Sequence, residues 1–275
     1  MVNTNTNLME QLLSNLKIDI ESAELSKTGP GWHWMNRRPP CNRLFYILDG
    51  EGCVEIRGTK YYPKKGQMVI VPANTPHSLY NISQRYFYKY WCRFYAISGE
   101  HPLFDLISTP YIVEAEIDND IICQQFNELT SNYIASGLAP KLKAKANLLN
   151  LLSIFLQNIN EEEIQLSEEN FPLEIQNVLR YIDEHLSEPI TIETLARVAN
   201  FHPNYFIRQF KHYVGNSPME YVTRLRINKA KLLLRNSNQS ISLIAALTGF
   251  DNPSYFSKVF KGVVGISPQH YRKYS

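Results

Sequence analysis

The side chains best suited to chemistry lie near the carboxyl end of the chain, within residues 253–264. Hydroxyl and basic side chains recur there three and four positions apart, a spacing that places them on one face of a helix. Apolar side chains fall on the opposite face. A helix divided in this way suits the major groove of DNA, where base edges and phosphates accept hydrogen bonds. The polar face holds Ser254, Ser257, Lys258 and Lys261, and the apolar face holds Tyr255, Phe256, Val259, Phe260 and Val263.

A solvated amphipathic helix would show the same pattern, but the chain contains an earlier copy of it. The aromatic pair Tyr205–Phe206 matches Tyr255–Phe256. Each pair is followed by Phe-Lys, by Gly-x-Ser-Pro and then by a tyrosine. Two copies of the whole pattern predict two helix-turn-helix units. The outward-facing residues of the first copy are Asn204, Ile207, Arg208 and Lys211.

Residues with turn and capping preferences separate the two helices of each predicted unit. In the second unit, Ser240 is expected to cap the first helix, Gly249 to form the left-handed turn, and Asn252 to cap the second helix. In the first unit, Asn200 stands in the place of Gly249, and His202 stands in the place of Asn252. Asn tolerates left-handed geometry, whereas His is a weaker cap. The turn is therefore expected in both units, with a less sharply defined second helix in the first.

These residues resemble the AraC/XylS-type transcription regulators. The second unit carries the specific motifs of that family: I-A-x-x-x-G-F at 244–250, S-Y-F at 254–256, F-K at 260–261 and G-x-S-P-x-x-Y-R at 265–272. The resemblance is strong over the last third of the chain and looser over the first third. It implies DNA contacts from the outward-facing side chains. The implied base-facing residues are Asn204, Ile207, Arg208, Ser254, Ser257 and Lys258, with Lys211 and Lys261 near phosphates and Asn252 at the start of its helix.

Basic charge collects where these two units lie. From Phe171 onward the chain holds 13 Lys and Arg against 7 Asp and Glu, a net charge of +6. Residues 1–170 hold 15 against 19, a net charge of −4. A basic carboxyl-terminal part is what phosphate binding requires. We therefore predict an effector-binding and dimerisation domain at 1–165 and a DNA-binding domain at 166–275, joined through the acidic stretch 161–170.

The stretch 218–235 joins the two units and is predicted to be a helix. Its residues would span about 27 Å at a rise of about 1.5 Å each. Consecutive major grooves on one side of B-DNA lie about 34 Å apart. A rigid joining helix of this length can place the two second helices in neighbouring grooves.

Short strands separated by turns are expected in the amino-terminal part. The pattern G-x-x-x-x-x-P-x-x-x-P-H at 66–77 resembles the small cupin barrel that serves as the sensor of many AraC-type proteins. The predicted class is α+β, a cupin-like β-barrel with packed helices followed by an all-α domain of two helix-turn-helix units. Strands are expected at 43–48, 53–56, 61–62, 67–71 and 87–97, and residues 8–18 fit a short helix.

Residues 120–136 and 141–159 show the apolar periodicity of two further helices. Helices of this kind pack on the barrel beside them or on a partner's copy. In AraC-type proteins this region commonly forms the dimer contact. The expected apolar faces are Phe126, Leu129, Tyr133 and Ile134 in the first helix, and Leu142, Ala146, Leu149, Leu152, Leu156 and Ile159 in the second.

The strand at 87–97 has two different faces, because side chains alternate along a strand. The face that includes Tyr90, Cys92 and Phe94 is typical of a core. The other face combines aromatic rings with long donors and sets Trp91 between Lys89 and Arg93, which suits a pocket for a polar ring such as a sugar. A solvent-facing outer surface fits the same pattern. The candidate effector-binding residues are Trp32, Arg38, His77, Lys89, Trp91 and Arg93.

The sequence offers little for metal chemistry. His77 has no His-x-His pair upstream, so neither a metal nor another cofactor is expected, and His77 also fits a hydrogen-bonded structural role. Cys41, Cys53, Cys92 and Cys123 are scattered, which favours reduced thiols in the cytoplasm. The sequence shows neither a signal peptide nor an apolar run long enough to span a membrane.

The expected function is therefore a non-enzymatic, sequence-specific transcription regulator that responds to a small polar effector. Its expected partners are double-stranded DNA, that effector, a second copy of the chain and RNA polymerase, with no membrane contact. A non-metal cupin enzyme and an unliganded architectural DNA-binding protein are the alternatives.

Overall fold

Two compact units make up the protein, one rich in strands and one helical. The computed structural model describes residues 9–10, 12–115, 118–167 and 171–274. The strand-rich unit is Leu16–Ser167, and the helical unit comprises the described residues from 171 onward together with those that precede Leu16. The predicted α+β class, a cupin-like barrel with packed helices followed by an all-α part, is confirmed. The break after Ser167 falls close to the boundary that the sequence suggests after residue 165.

The strand-rich unit contains two principal antiparallel sheets. One sheet has the order β1-β8-β3-β6-β11, with β9 paired to β8, and the other has the order β2-β7-β4-β5. A short pair, β10-β12, lies apart from them. The strands are β1 (Leu16–Lys27), β2 (His33–Arg37), β3 (Asn42–Asp49), β4 (Gly52–Ile56), β5 (Thr59–Tyr61), β6 (Gln67–Val71), β7 (His77–Asn81), β8 (Tyr88–Ser98), β9 (His101–Pro102), β10 (Ile107–Ser108), β11 (Ile112–Glu114) and β12 (Gln165–Leu166).

The inner faces of the two principal sheets share one apolar core. Strands β3 and β6 of the first sheet and β4 and β7 of the second all contribute to it. The hairpin between β4 and β5 turns at Arg57 and Gly58, whose φ angles of 50° and 85° are those of a mirror-image turn that matches strand twist. The buried residues of this core are Phe45, Ile47, Val54, Ile56, Val69, Val71, Leu79 and Phe87.

Strand β1 differs most from the sequence expectation. Residues 8–18 fit a short helix by sequence, but β1 begins at Leu16 and pairs antiparallel with β8 along its whole length, with a register shift between Ile20 and Ser22. Among the described residues of this stretch, only 9–10 and 12–14 are helical. Apolar and polar residues alternate from Leu16 to Ile20, which is the period of a strand. Pairing with β8 satisfies the backbone N–H and C=O groups of β1. The residues near β1 in sequence do not reveal this partner.

Helices α1 (Leu103–Leu106), α2 (Asn119–Ile134) and α3 (Leu138–Gln157) complete this unit. The ring of Phe126 on α2 stacks on Tyr90 of β8 at a centroid distance of 5.1 Å and on Tyr46 of β3 at 6.1 Å. The face of β8 that holds Tyr90, Cys92 and Phe94 is therefore buried, as its apolar composition predicts.

The predicted apolar faces of α2 and α3 are partly wrong. Ile134 is 80% exposed, and Leu142 is 69% exposed. Leu149 is exposed as well. On α3 the buried side is rotated from the predicted one, so that Leu142, Ala146 and Leu149 face outward while Leu148, Leu151 and Phe155 are buried. The buried residues are Ile122, Phe126 and Leu129 on α2, and Ala144, Asn147, Leu148, Leu151, Leu152, Ile154 and Phe155 on α3.

The helical unit contains seven described helices beyond residue 170. None of the helices in the described ranges combines the length and the apolar character that a membrane span needs. The helices are α4 (Leu173–Glu184), α5 (Ile192–Val198), α6 (Pro203–Val214), α7 (Pro218–Asn236), α8 (Ile241–Leu247), α9 (Pro253–Val264) and α10 (Pro268–Tyr274).

Candidate DNA interface and ligand cavity

The turns of the two helix-turn-helix units have the same left-handed geometry. Asn200 follows α5 with a φ of 53°, and Gly249 follows α8 with a φ of 80°. Gly249 is needed for a second reason, because a Cβ there would lie 2.7 Å from the Leu186 carbonyl oxygen and 2.8 Å from the Arg226 guanidinium. The turn predicted at both positions is confirmed.

Side-chain caps begin three of the four helices. Thr191 caps α5 by accepting from the Thr194 amide at 3.2 Å, and Ser240 caps α8 in the same way. The Asn252 carboxamide oxygen accepts from the Ser254 and Tyr255 amides at 2.8 and 3.0 Å. His202, which precedes α6, makes no side-chain cap hydrogen bond. The second helix of the first unit is therefore less well capped than that of the second unit, as predicted.

Matching aromatic clusters hold α6 and α9 in place. Phe206 and Phe210 on α6 are fully buried with a ring separation of 5.6 Å. Phe256 and Phe260 on α9 repeat that arrangement at 5.6 Å. The next rings in the two clusters are those of Tyr221 and Tyr271.

Two residues of the predicted apolar face of α9 are exposed, Tyr255 by 61% and Val263 by 52%. Helix geometry explains the first, because Tyr255 lies about 100° around the helix from the buried Phe256. The buried stripe is therefore narrower than the sequence suggests.

The outward faces of α6 and α9 present polar and basic groups to solvent. Ile207 and Ser257 are half-buried, and the Ser257 hydroxyl donates to the Pro253 carbonyl at 2.9 Å. Within the described chain, none of the basic side chains on these faces is paired with a carboxylate. The exposed members are Asn204, Arg208 and Lys211 on α6, and Ser254, Lys258 and Lys261 on α9.

Helix α7 joins the two units and has 19 residues, a length of about 28 Å. Glu220 closes a capping box at its start by accepting from the Ser217 amide at 2.9 Å. The Arg226 guanidinium donates to the carbonyls of Leu186 at 3.0 Å and Glu188 at 2.6 Å. Arg226 therefore ties the loop after α4 to the joining helix and is not a free phosphate contact.

A cavity of about 340 Å³ lies within the strand-rich unit. Its walls come from β1, β2, β3, β7 and β8 and from the loop between β1 and β2. One lining cation, Lys27, is exposed. All three tryptophans of the chain also line the cavity, together with three further cations. These residues are Trp32, Trp34, Trp91, Arg43, Lys89 and Arg93.

Each of these cations lies over an indole ring. The Lys89 Nζ is 4.6 Å from the centroid of Trp32. The Arg43 Cζ is 4.4 Å from that of Trp34, and the Arg93 Cζ is 5.1 Å from that of Trp91. Strand register explains the grouping, because Arg43 on β3 pairs directly with Arg93 on β8. Side chains that pair directly on neighbouring strands share one face of the sheet.

Burial lowers the pKa of two cavity cations. Burial, together with the nearby charge of Arg43, lowers the pKa of Lys89 to about 8. Burial, together with Arg93, lowers the pKa of Arg43 to about 10. Both shifts have the direction expected when a positive charge leaves water and lies near another positive charge.

Two protein families match the chain. A helix-turn-helix domain family matches residues 195–274, and a cupin domain family matches residues 27–88. The chain therefore contains a helix-turn-helix domain and a cupin domain, the two domains that the resemblance to AraC-type regulators implies.

Relatives of this chain carry regulator names. The uncharacterized HTH-type transcriptional regulator YobQ of Bacillus subtilis (strain 168) is 33% identical over 110 residues, 40% of this chain and 42% of that protein. The HTH-type transcriptional activator RhaS of Salmonella schwarzengrund (strain CVM19633) is 27% identical over 132 residues, 48% of each. The chain thus spans less than half the length of these curated relatives. The solved DNA-binding domain of AdpA, in complex with a target DNA, is 31% identical, with a TM-score of 0.35 over 36% of this chain and 89% of that one.

The cupin unit brings together four of the six candidate effector residues. Trp32, Lys89, Trp91 and Arg93 line the cavity, whereas the exposed Arg38 does not. Within the cavity, the Lys89 ammonium lies over the Trp32 ring.

His77 is buried on β7 and lies outside the cavity lining. Its Nδ1 is 2.8 Å from the Thr75 carbonyl oxygen, and burial lowers the pKa of its imidazole. Those contacts fit a structural role. In the described ranges, His, Cys, Asp and Glu side chains form no group of three or more that could hold a metal ion.

Sequence reasoning missed Trp34 and Arg43 as cavity residues. A signal for Arg43 was present, because Arg43 and Phe45 occupy alternate positions of a predicted strand and so share a face. Only the pairing of β3 with β8 shows that this face is also the face of Lys89 and Arg93.

Proposed function

We propose that this chain is a sequence-specific DNA-binding transcription regulator whose cupin domain binds a small polar effector. The observation that carries the proposal is the repeated helix-turn-helix architecture, with a polar and basic face left free on each second helix. Unpaired cations on an exposed helix face suit contact with phosphates and base edges. The names of the relatives, which are transcriptional regulators and activators, support the same function.

Each candidate DNA-contacting residue has a proposed role. Asn204, Ile207 and Arg208 on α6 are proposed to face bases, and Lys211 is proposed to lie near phosphate. On α9 the corresponding roles belong to Ser254, Ser257, Lys258 and Lys261. Asn252 has its carboxamide oxygen committed to the helix cap, so its NH₂ group is the part available to DNA.

Selection of binding sites from a random DNA pool by the purified chain tests the proposal. We expect one enriched sequence with two short elements about 10 base pairs apart, since the two helices would enter neighbouring major grooves. A matched pair of variants, Arg208→Ala on α6 and Lys60→Ala on the exposed edge strand β5, separates the interface from the rest of the surface. Retention of DNA with no sequence enriched would support an architectural protein and contradict a sequence-specific regulator.

We propose further that the regulator works as a homodimer in the cytoplasm and acts with RNA polymerase at promoters. Support for the dimer comes from the exposed apolar side chains of Ile134, Leu138 and Leu142 on α2 and α3. Sedimentation of the chain and of Leu142→Lys tests this contact. We expect a dimer for the former and a shift toward monomer for the latter, and a wild-type monomer at all concentrations would contradict it.

A further inference from the structure

Positive side chains outnumber negative ones on the walls of the cupin cavity. Lys27, Arg43, Lys89 and Arg93 line it, whereas Glu24 is the one carboxylate among the lining residues described. Glu24 is exposed, so water screens its charge. In the described chain no carboxylate lies within ion-pairing distance of these cations.

The inner cations are also buried. Lys89 is 4% exposed and Arg43 is 7% exposed. The Nε atoms of Arg43 and Arg93 are buried and have no hydrogen-bond partner among the described atoms. Removing a charge from water without a counter-charge is costly, and contact with ring faces offsets only part of that cost. Glu21 affects Arg43 electrostatically but does not line the cavity.

The remaining lining supplies flat apolar surface. Trp32, Trp34 and Trp91 line the cavity with Phe45. The Trp91 indole N–H already donates to the Ser26 hydroxyl at 3.0 Å, which leaves the faces of its ring as the contact surface. A cavity of about 340 Å³ lies at the lower end of the range for small-molecule sites.

We propose that the effector is a small organic anion, with a carboxylate or phosphate placed among Arg43, Lys89 and Arg93 and a compact body packed against the indole rings. The proposal deepens the effector part of the proposed function, and it replaces the neutral sugar suggested by the sequence. A neutral polyol accepts hydrogen bonds but leaves three cations without a counter-charge. An anion supplies both the charge and the acceptors, and charge-assisted hydrogen bonds are the stronger kind.

Tryptophan fluorescence of the full chain reports on the cavity directly, because the cavity contains every tryptophan of the chain. The probes are matched pairs that differ in charge: glucuronate or glucose 6-phosphate against glucose, benzoate against benzyl alcohol, and phenyl phosphate against phenol. Inorganic phosphate tests whether the anion alone suffices. The carboxylate and phosphate arms identify which anionic group the cavity takes.

We expect at least one anion to bind roughly tenfold or more tightly than its neutral counterpart, the size of effect typical of a hydrogen bond to a charged group. Lys89→Met keeps the apolar contacts with Trp32 and Phe45 but removes the charge, and it should lose most of that preference. Lys60→Met, on the exposed strand β5, is the matched control and should keep it. Arg93→Gln provides a second charge-removing variant if Lys89→Met fails to fold.

Three results would overturn the proposal. They are equal or tighter binding of the neutral members, an unchanged anion preference in both Lys89→Met and Arg93→Gln, and no fluorescence response to any anion at concentrations up to about 10 mM. DNA-site selection with the same protein is read separately. Anion binding without an enriched DNA site would contradict the regulator function but support the anion-binding cavity. An enriched DNA site without anion binding would support the regulator function and contradict the anion-binding cavity.

Discussion

At the residue scale, Lys89 is the clearest case of a charged group in an unfavourable place. It is buried, it lies near Arg43, and its pKa is lowered from 10.5 to about 8. Below pH 8 the group is charged in both the folded and the unfolded chain, so the folded state bears the full cost of burying the charge. Between pH 8 and 10.5 the folded chain is neutral there while the unfolded chain still binds a proton, so that cost disappears as the pH rises.

The substitution Lys89→Met should therefore stabilise the ligand-free protein most at pH 7. The gain in the free energy of unfolding should reach at most about 3 kcal/mol, at about 1.36 kcal/mol for each unit of pKa shift. It should shrink steadily above pH 8. Urea unfolding of both proteins at pH 7 and pH 9.5 measures the difference in their free energies of unfolding. The titration of groups that both proteins share largely cancels in that difference. A gain that is the same at both pH values would show that apolar packing, not charge, is responsible.

The roles of two exposed cations in the DNA interface should also be separable. Arg208→Ala should cost about 1–3 kcal/mol of binding free energy and relax specificity at one position of the site, because a guanidinium can read a base by paired hydrogen bonds. Lys261→Ala should weaken binding to all sequences alike, because phosphates are the same at every position. Affinity measurements on a library of single-base variants check both, and uniform losses in both mutants would refute the assignment.

At the scale of elements, the two helix-turn-helix units share one plan but differ at the cap of the second helix. Asn252 caps α9 with two amide contacts, whereas His202 makes none for α6. The capping difference is independent of the aromatic clusters, which match closely in ring separation. Helix α6 should therefore fray at its start more readily than α9.

Asn252→Ala should lower the free energy of unfolding by about 1 kcal/mol, and His202→Asn should raise it by about 0.5–1 kcal/mol. Asn228→Ala, at an exposed site within α7, provides the matched control and should not lower the free energy of unfolding, because Ala favours a helix interior over Asn by up to about 0.7 kcal/mol. Chemical unfolding of the three variants makes the comparison. Equal stability of His202→Asn and the wild type would mean that another group already satisfies the first amides of α6.

At the scale of the whole molecule, the uneven charge predicts a modular response to salt. Residues 166–275 contain both units and the excess of positive charge, so the fragment should fold and bind the DNA site chosen by the full chain. Its affinity should fall steeply as salt increases, because counterions released from DNA contribute much of the binding free energy. Gel-shift titrations from low to physiological salt check this, and an affinity independent of salt would contradict it.

Much of the architecture was readable from local patterns. The repeated aromatic pairs and Gly-x-Ser-Pro runs predicted both helix-turn-helix units, since such patterns specify faces, caps and turns within a few residues. The left-handed turn at Asn200 and the cap at Asn252 followed from the same local chemistry. Strand β6 was predicted with its observed limits, because turn residues bound a short β-branched run.

Pairing between distant segments was decided only by the tertiary structure. Strand β1 was mistaken in part for helix because the strand that completes its hydrogen bonds, β8, lies far along the chain. The outward leucines of α3 look like a buried seam until the neighbouring surface is known. The cavity also depends on which distant segments become neighbours. Trp32, Arg43 and Lys89 are far apart in the sequence, and nothing local links them. The register of β3 with β8 and the position of the β1–β2 loop bring them together. Local residue types therefore determined the helix-turn-helix units, whereas packing determined the charge and shape of the ligand cavity, because those depend on which strands become neighbours.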